Sequence, residues 1–161
     1  MSKKVFFVMG VSGSGKSTIG KKLANELDFQ FFDGDDYHPE SNVQKMKSGT
    51  PLNDDDRKGW LEKLNQLGLE HQTKGAVIAC SALKEKYRAI LLSGLKEKGE
   101  IIYLKGSFKE IKLRLEERKG HFMPINLLKS QFETLEEPKN VITVSIVNPP
   151  EKIISQILEY V

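Results

Sequence analysis

Residues 10–17, with the sequence Gly-Val-Ser-Gly-Ser-Gly-Lys-Ser, constrain the fold of this chain more than any other segment. They match the phosphate-binding pattern G-x-x-x-x-G-K-[ST] at every fixed position. The apolar run Val5–Met9 predicts a buried strand before the loop, and residues 18–27 have the pattern of a helix after it. Glycines let backbone N–H groups turn toward a phosphate, and a helix N-terminus adds partial positive charge. The segment therefore predicts a bound nucleoside triphosphate.

Two side chains of this loop have the chemistry for phosphates and for a metal ion. Lys16 can reach the β- and γ-phosphates, and the Ser17 hydroxyl can bind Mg²⁺. We expect the nucleotide to contact the loop and the residue after it, which are Gly10, Ser12, Gly13, Ser14, Gly15, Lys16, Ser17 and Thr18.

The composition predicts one globular domain spanning residues 1–161 in a reducing compartment. Hydrophobic residues make up 39% of the chain and charged residues 29%, as in soluble proteins. The net charge of +3 comes without a long basic run, so we expect no nucleic-acid partner. No apolar stretch approaches the length of a membrane span, and the single Cys80 excludes an internal disulfide. We therefore expect a cytoplasmic protein.

Strands and helices are predicted to alternate along the chain. Further strands are expected at residues 30–33, 75–80, 101–104 and 141–146, with helices at 17–27, 41–47, 54–71, 84–92, from 107, 127–135 and after 149–150. This alternation predicts an α/β fold with a five-stranded parallel sheet covered by helices on both faces. Ligands bind beyond the carboxyl ends of such strands, so the loops after Met9, Phe32, Cys80 and Leu104 should form one cleft.

The second predicted strand ends in an acidic segment beside the expected triphosphate. Asp33 can hold Mg²⁺ through water, while Asp35 can accept the proton of an attacking hydroxyl or orient it. The alternative is an ordinary acidic turn, to which Asp36 can belong. His38 can hydrogen-bond a substrate hydroxyl, or it can stack within a turn before Pro39.

Arg57 follows a run of acidic residues at the start of a predicted helix. Asparagine and aspartate at residues 53–56 are common at helix N-termini, but capping does not account for the arginine. A fixed guanidinium can bind a substrate carboxylate in bidentate fashion. Cys80, at a strand end, is expected to be buried and inert.

A basic cluster near residue 118 is interpreted as part of a lid over the transferring phosphoryl group. Arg114, Arg118, Lys119 and His121 lie where a predicted helix gives way to Gly120. Kinases need a cover that excludes water and adds positive charge. The alternative is a solvated basic helix end, which the helix dipole also favours. We place the lid at about residues 118–126.

Taken together, these segments resemble the gluconokinase family over nearly the whole chain. The resemblance is carried by residues 9–17, 33–39, 45–46, 51–57, 80–84, 87–88, 118–122 and 131–136. It implies a three-layer P-loop kinase fold similar to shikimate kinases, with a mobile lid. It also implies phosphorylation of the 6-hydroxyl of D-gluconate with ATP and Mg²⁺, and a homodimer in some members.

The resemblance also implies a role for individual residues. Lys16, Asp35 and Arg118 would be catalytic, Arg114 and Arg118 would contact ATP, and Ser17 and Asp33 (through water) would hold the metal. Gluconate would be bound by the following set: Asp35, His38, Lys45, Arg57, Ser81, Lys84 and Arg88.

Two other functions are alternatives for a chain with this phosphate-binding loop. One is a kinase of a different small hydroxy acid or nucleotide on the same fold. The other is a GTPase switch, suggested by the D-x-x-G pattern at residues 56–59. This pattern follows a capping cluster rather than a strand, and the chain has no N-K-x-D segment, so a kinase is favoured.

Overall fold

The structure is a computed structural model that describes residues 3–117 and 125–161. These residues form five strands: β1 Val5–Met9, β2 Gln30–Asp33, β3 Ala76–Ala79, β4 Gly99–Lys105 and β5 Ile142–Ser145. They also form seven α-helices: α1 Lys16–Leu27, α2 Glu40–Lys47, α3 Asp54–Glu70, α4 Glu85–Leu92, α5 Phe108–Glu117, α6 Ile125–Thr134 and α7 Pro150–Leu158. Short 3₁₀ helices occupy Gly34–Tyr37 and Lys96–Lys98.

The five strands form one parallel sheet in the order β2-β3-β1-β4-β5. The strand before the phosphate-binding loop, β1, is central, with Val5 paired to Ala76 on one side and to Gly99 on the other. Both the predicted sheet and its parallel strand direction are confirmed. The carboxyl ends of β1, β2 and β3 therefore meet at one edge of the sheet.

Two apolar layers cover the two faces of the sheet. Successive side chains of β1 belong alternately to one layer and to the other. Phe6 and Val8 pack into one layer with side chains from α1, α5, α6 and α7. Val5, Phe7 and Met9 pack into the other layer with side chains from α3 and α4. All five residues of β1 are buried, as expected for a central strand of a covered parallel sheet. The result is the predicted three-layer architecture.

Helix α1 packs against the Phe31 side chain of strand β2, and the glycine at residue 20 leaves room for that ring. A Cβ atom at Gly20 would lie 2.5 Å from Cε1 of Phe31, well inside van der Waals contact. This approach brings the first turn of α1 toward the end of β2.

Most predicted elements are confirmed, with small differences at their ends. The predicted strand at residues 75–80 is shorter, and the one at 101–104 is longer, starting at Gly99. A capping box begins α5, with Ser107 N–H donating to Glu110 and Glu110 N–H donating to Ser107 Oγ. The acidic turn after β2 is a 3₁₀ helix. Among the described residues, none of the helices has both the length and the apolar character needed to cross a bilayer.

Candidate active site

The phosphate-binding loop joins β1 to α1 with its helix end open to an anion. Gly15 caps α1 with φ 94°, a left-handed conformation that favours glycine. The first turn of α1 contains no acidic residue, so its dipole is available to a phosphate. Lys16 Nζ donates to the carbonyl oxygens of Gly10 at 3.0 Å and Val11 at 3.1 Å. These contacts hold the ammonium group across the loop.

A hydroxyl at the start of α1 contacts a carboxylate at the end of β2. Ser17 Oγ donates to Asp33 Oδ2 at 3.0 Å. The other carboxylate oxygen of Asp33 accepts from the backbone N–H of Asp35 at 3.0 Å, which caps the 3₁₀ helix. Hard oxygen ligands beside a phosphate-binding loop suit Mg²⁺, which binds through one or two carboxylates together with phosphates and water. The pair therefore fits a magnesium ion chemically.

A cavity of about 430 Å³ runs from the phosphate loop to the loops after β2 and β3. Of the residues predicted from the sequence, its lining contains Ser12, Gly13, Gly15, Lys16, Ser17, Thr18, Asp33, Asp35, His38, Arg57 and Ser81. The loop after β4, residues 106–107, was expected to contribute but is not part of this lining. The cavity thus has a phosphate end and a second end with both acidic and basic side chains.

Arg57 is held at the second end by side chains from α3 and α4. Its Nη1 donates to the hydroxyl of Tyr87 at 2.9 Å, and its guanidinium lies 5.3 Å from the centre of the Tyr87 ring. The Tyr87 hydroxyl in turn donates to Asp54, which also accepts from Lys84 and Lys86. Hydrogen bonds from Lys86 and Tyr87 hold the pKa of Asp54 well below its usual range. Burial and the bond to Asp54 raise the pKa of Tyr87.

His38 stacks in its turn and also lines the cavity, so the two sequence-based alternatives do not exclude each other. Its ring lies parallel to that of Trp60, with centroids 3.9 Å apart. Burial lowers the pKa of His38, the Asp35 carboxylate raises it, and the Arg57 charge lowers it, with a net decrease. The lowered pKa favours the neutral form of the ring at pH 7.

The structure places three of the predicted gluconate-binding residues outside the cavity lining. Lys45 pairs with Asp56 at 2.6 Å, and Lys84 pairs with Asp54 at 3.2 Å. Arg88 is 7% exposed, and its guanidinium donates to the backbone carbonyls of Ala82 and Glu136. A role for these three residues in binding gluconate stays a prediction.

Three residues that were predicted to contact the nucleotide lie at the phosphate-binding loop but do not line the cavity. Ser14 is buried, and its hydroxyl has no hydrogen-bond partner among the described residues. Arg114, on α5, donates to the backbone carbonyl of Ser14 at 3.3 Å. Gly10 accepts from Lys16. The predicted residue Arg118, together with residues 119–124 of the predicted lid, lies outside the described residues.

Four residues at the site were not singled out from the sequence: Asn42, Trp60, Tyr87 and Gln131. Gln131, on α6, accepts from the backbone N–H of Ser12 at 2.8 Å and donates to its hydroxyl at 3.0 Å. This residue belongs to one of the segments that carried the family resemblance, but nothing local in the sequence indicates its contact.

Cys80 is buried, as expected. Burial raises the pKa of its thiol to about 12, so it stays protonated and is a poor nucleophile at neutral pH.

Comparison with known proteins agrees with this geometry. The family model described as "Shikimate kinase" matches residues 12–160. The chain is 45% identical over 163 residues to "Thermoresistant gluconokinase" of Escherichia coli (strain K12), covering 98% of this chain and 93% of the relative. It is 48% identical over 141 residues to "Thermosensitive gluconokinase" of the same organism, covering 86% of this chain and 75% of the relative.

A solved structure gives the same result for the three-dimensional fold. The crystal structure of a gluconokinase from Sinorhizobium meliloti 1021 superposes with a TM-score of 0.91 at 37% identity, covering 98% of this chain and 91% of that one. Because both the sequence and the fold match over nearly their full lengths, this chain belongs to the gluconokinase family.

Proposed function

We propose that this protein transfers the γ-phosphoryl group of ATP to the 6-hydroxyl of D-gluconate, releasing ADP and 6-phospho-D-gluconate. The observation that carries the proposal is the single cavity that contains both Lys16 and Ser17 at one end and Asp35 and Arg57 at the other. A phosphoryl donor and a hydroxy-acid acceptor can therefore meet within one cavity. The names of the relatives supply the identity of the acid.

At the nucleotide end, the protein acts through position and charge. The loop amides and Lys16 would hold the β- and γ-phosphates and stabilise charge that develops during transfer. Ser17 and Asp33 would hold Mg²⁺, which neutralises phosphate charge when bound. Arg114 is close enough to the loop to add positive charge, since its guanidinium contacts Ser14.

At the acceptor end, the proposed roles follow from the groups that face the cavity. Asp35 is exposed at its carboxylate, so it can accept a hydrogen bond from the attacking hydroxyl and take its proton late in the reaction. Arg57 presents a guanidinium whose direction is set by Tyr87, and it would bind the carboxylate of gluconate.

The setting of the enzyme is part of the same proposal. The acceptor is a small molecule rather than a nucleic acid or a membrane, and residues 1–161 act as one catalytic domain. Use of ATP, together with a free thiol at Cys80, accords with the cytoplasmic location expected from the sequence.

A panel of acceptors tests this function directly. Coupled ADP production would be measured with gluconate, shikimate, glycerate, gluconolactone and nucleoside monophosphates. Shikimate is included because the matching family model carries that name. We expect kcat/KM for gluconate to exceed every other value by at least about 10²-fold. A higher value for another acid would replace gluconate as the substrate, and ADP release independent of any acceptor would contradict a kinase.

A further inference from the structure

The His38 ring is held in a fixed orientation at the acceptor end of the cavity. The side chain is only 3% exposed, and its face stacks on Trp60. Trp60 is itself fixed, because its indole N–H donates to the backbone carbonyl of Gly34 at 2.8 Å. Rotation of the imidazole about its own axis is therefore restricted, and its two nitrogens face different partners.

Asn42 contacts one of these two nitrogens, Nδ1. The Asn42 side chain is buried, and its Nδ2 donates to the backbone carbonyl of Asp56 at 2.8 Å. A carbonyl oxygen can only accept, so this contact sets which end of the amide faces it. The same Nδ2 lies 3.2 Å from Nδ1 of His38. An amide nitrogen has only hydrogens to offer, so Nδ1 of His38 accepts, and the proton of the neutral ring lies on Nε2.

The protonated nitrogen faces Asp35 across a gap. His38 Nε2 lies 3.9 Å from Asp35 Oδ1, which is too long for a direct hydrogen bond. An oxygen atom placed at ordinary hydrogen-bond distances of about 2.7–3.0 Å from both atoms fits this separation. Such an oxygen must accept from His38 and donate to Asp35, and a hydroxyl group can do both. A carboxylate oxygen cannot donate to Asp35, and an ammonium group cannot accept from His38.

We propose that Asn42 fixes His38 as a hydrogen-bond donor through Nε2, and that His38 and Asp35 together recognise the acceptor hydroxyl. The proposal rests on the proposed kinase function, in which that hydroxyl is the 6-hydroxyl of gluconate. Asn42 is a positioning residue, because it acts through His38 and does not line the cavity. In this arrangement His38 cannot serve as the base, since its only free nitrogen already carries a proton.

The charges around His38 are consistent with this role. Among the described residues, the charged groups that act on the ring are Asp35, which favours protonation, and Arg57, which opposes it. Burial opposes protonation of the ring, and its effect on the pKa is larger than the effect of either charge. A second proton on Nδ1 would also point at the hydrogens of Asn42 Nδ2.

The protonation state can be observed without any measurement of activity. Nitrogen NMR of protein labelled with ¹⁵N-histidine distinguishes the two neutral tautomers from the charged ring. The chain has three histidines, and the spectrum of His38→Gln identifies the signal that belongs to His38. We expect neutral His38 with its proton on Nε2 at pH 7. A ring protonated on Nδ1, or a charged ring at this pH, would overturn the proposal.

Asn42→Asp tests the positioning residue in the same spectrum. A carboxylate at this position can only accept, so it should draw a proton onto His38 Nδ1 and raise the pKa of His38 relative to the parent protein. An unchanged His38 signal in a folded variant would mean that Asn42 does not set the protonation of the ring.

Two matched substitutions at His38 test the hydrogen bond to substrate. The amide nitrogen of glutamine can reach the position of Nε2, whereas that of asparagine reaches only the position of Nδ1. Both variants lose the stacking on Trp60, so they share the same structural defect. We expect His38→Gln to retain a kcat/KM for gluconate about tenfold or more above that of His38→Asn. Equal values, or a better asparagine variant, would contradict the proposal.

The two proposals fail in distinguishable ways. If the parent protein does not phosphorylate gluconate, the proposed function is wrong, while the tautomer of His38 is still decided by the NMR spectrum. If gluconate is phosphorylated but His38→Gln and His38→Asn behave alike, only the further inference is wrong. Thermal melting of each variant verifies that it is folded. The NMR test itself uses the parent protein, and a folded variant is needed only to assign the His38 signal.

Discussion

At the scale of single residues, Lys16 occupies the position where added charge matters most for phosphoryl transfer. Its ammonium is directed across the loop by two backbone carbonyls. We predict that Lys16→Ala lowers kcat by about 10²- to 10³-fold, because the variant loses a preorganised donor to the charge that develops during transfer. Steady-state ADP production at saturating gluconate measures this effect.

Lys22→Ala is the matched control for this variant. Lys22 is exposed on the same helix and does not line the cavity, so its removal should leave kcat unchanged. If Lys16→Ala kept near-normal turnover, the loop would have no catalytic role.

Asp35 is the second residue whose change should act mainly on turnover. Asp35→Asn keeps the size of the side chain but removes its charge and basicity. We predict that kcat falls by about 10²- to 10⁴-fold, the usual range for a positioned acid or base. Mg·ATP binding should be unaffected, since the metal is assigned to Ser17 and Asp33.

The neighbouring carboxylate supplies the comparison for Asp35. Asp36 is exposed in the same 3₁₀ helix and lies outside the cavity lining, so Asp36→Asn should behave like the parent protein. Loss of Mg·ATP binding in a folded Asp35→Asn variant would mean that the roles of Asp33 and Asp35 are exchanged.

At the scale of elements, α3 and α4 act together to orient Arg57. The Tyr87 hydroxyl accepts from Arg57 and donates to Asp54, so it joins the two helices through the site. We predict that Tyr87→Phe raises the KM for gluconate by about 2- to 10-fold with little change in the KM for ATP, since one hydrogen bond contributes about 0.5–1.5 kcal/mol.

Tyr103→Phe provides a control with the same chemical change elsewhere in the fold. Tyr103 is also buried, and its hydroxyl bonds to Glu137 rather than to a cavity residue. An equal rise in the KM for gluconate in both variants would point to a general defect of the fold instead of a misplaced Arg57.

The N-terminus of α3 should give the protein a measurable acid sensitivity. Lys45, followed by the Asn53 backbone N–H, holds the pKa of Asp56 below its usual range. A lowered folded-state pKa contributes stability above the unfolded pKa of about 3.9, and this contribution is lost as the pH falls through the folded value. We predict that Asp56→Asn is less stable than the parent protein at pH 7, and that the difference shrinks below about pH 4. Urea unfolding at both pH values measures it, and a pH-independent difference would contradict the assignment.

The elements of this fold follow from local sequence patterns more fully than the directions of its long side chains do. The strand Val5–Met9 was predicted at its observed bounds because a central parallel strand is apolar on both faces. A role for Arg88 in binding the substrate stays a prediction, and nothing in the sequence indicates that its guanidinium donates to the carbonyls of Ala82 and Glu136. Which way a long cation points depends on partners far away in the chain. For the same reason, the contact of Gln131 with Ser12, 119 residues away, left no local signal.

At the scale of the whole molecule, α6 supports the phosphate loop from the far end of the sequence. Both groups of the Gln131 amide bond to Ser12. We predict that Gln131→Met, which keeps the length of the side chain but removes both bonds, raises the KM for ATP by about 3- to 10-fold. The KM for gluconate should change less, because both hydrogen bonds of the Gln131 side chain go to Ser12 in the phosphate loop.

Glu133→Gln on the same helix is the control, since Glu133 is exposed and does not line the cavity. Parallel increases in both Michaelis constants of Gln131→Met would show that α6 supports the whole cavity rather than the loop.

The close packing of α1 on β2 has a consequence for the proposed metal site. Gly20 lies one turn after Ser17 on α1, and Phe31 lies two residues before Asp33 on β2. The distance between the Ser17 hydroxyl and the Asp33 carboxylate is therefore governed by how near helix and strand approach in the apolar layer. A methyl group added at residue 20 would push the helix and the strand apart. The affinity of the site for a metal ion can therefore be changed by carbon atoms that do not contact the ion.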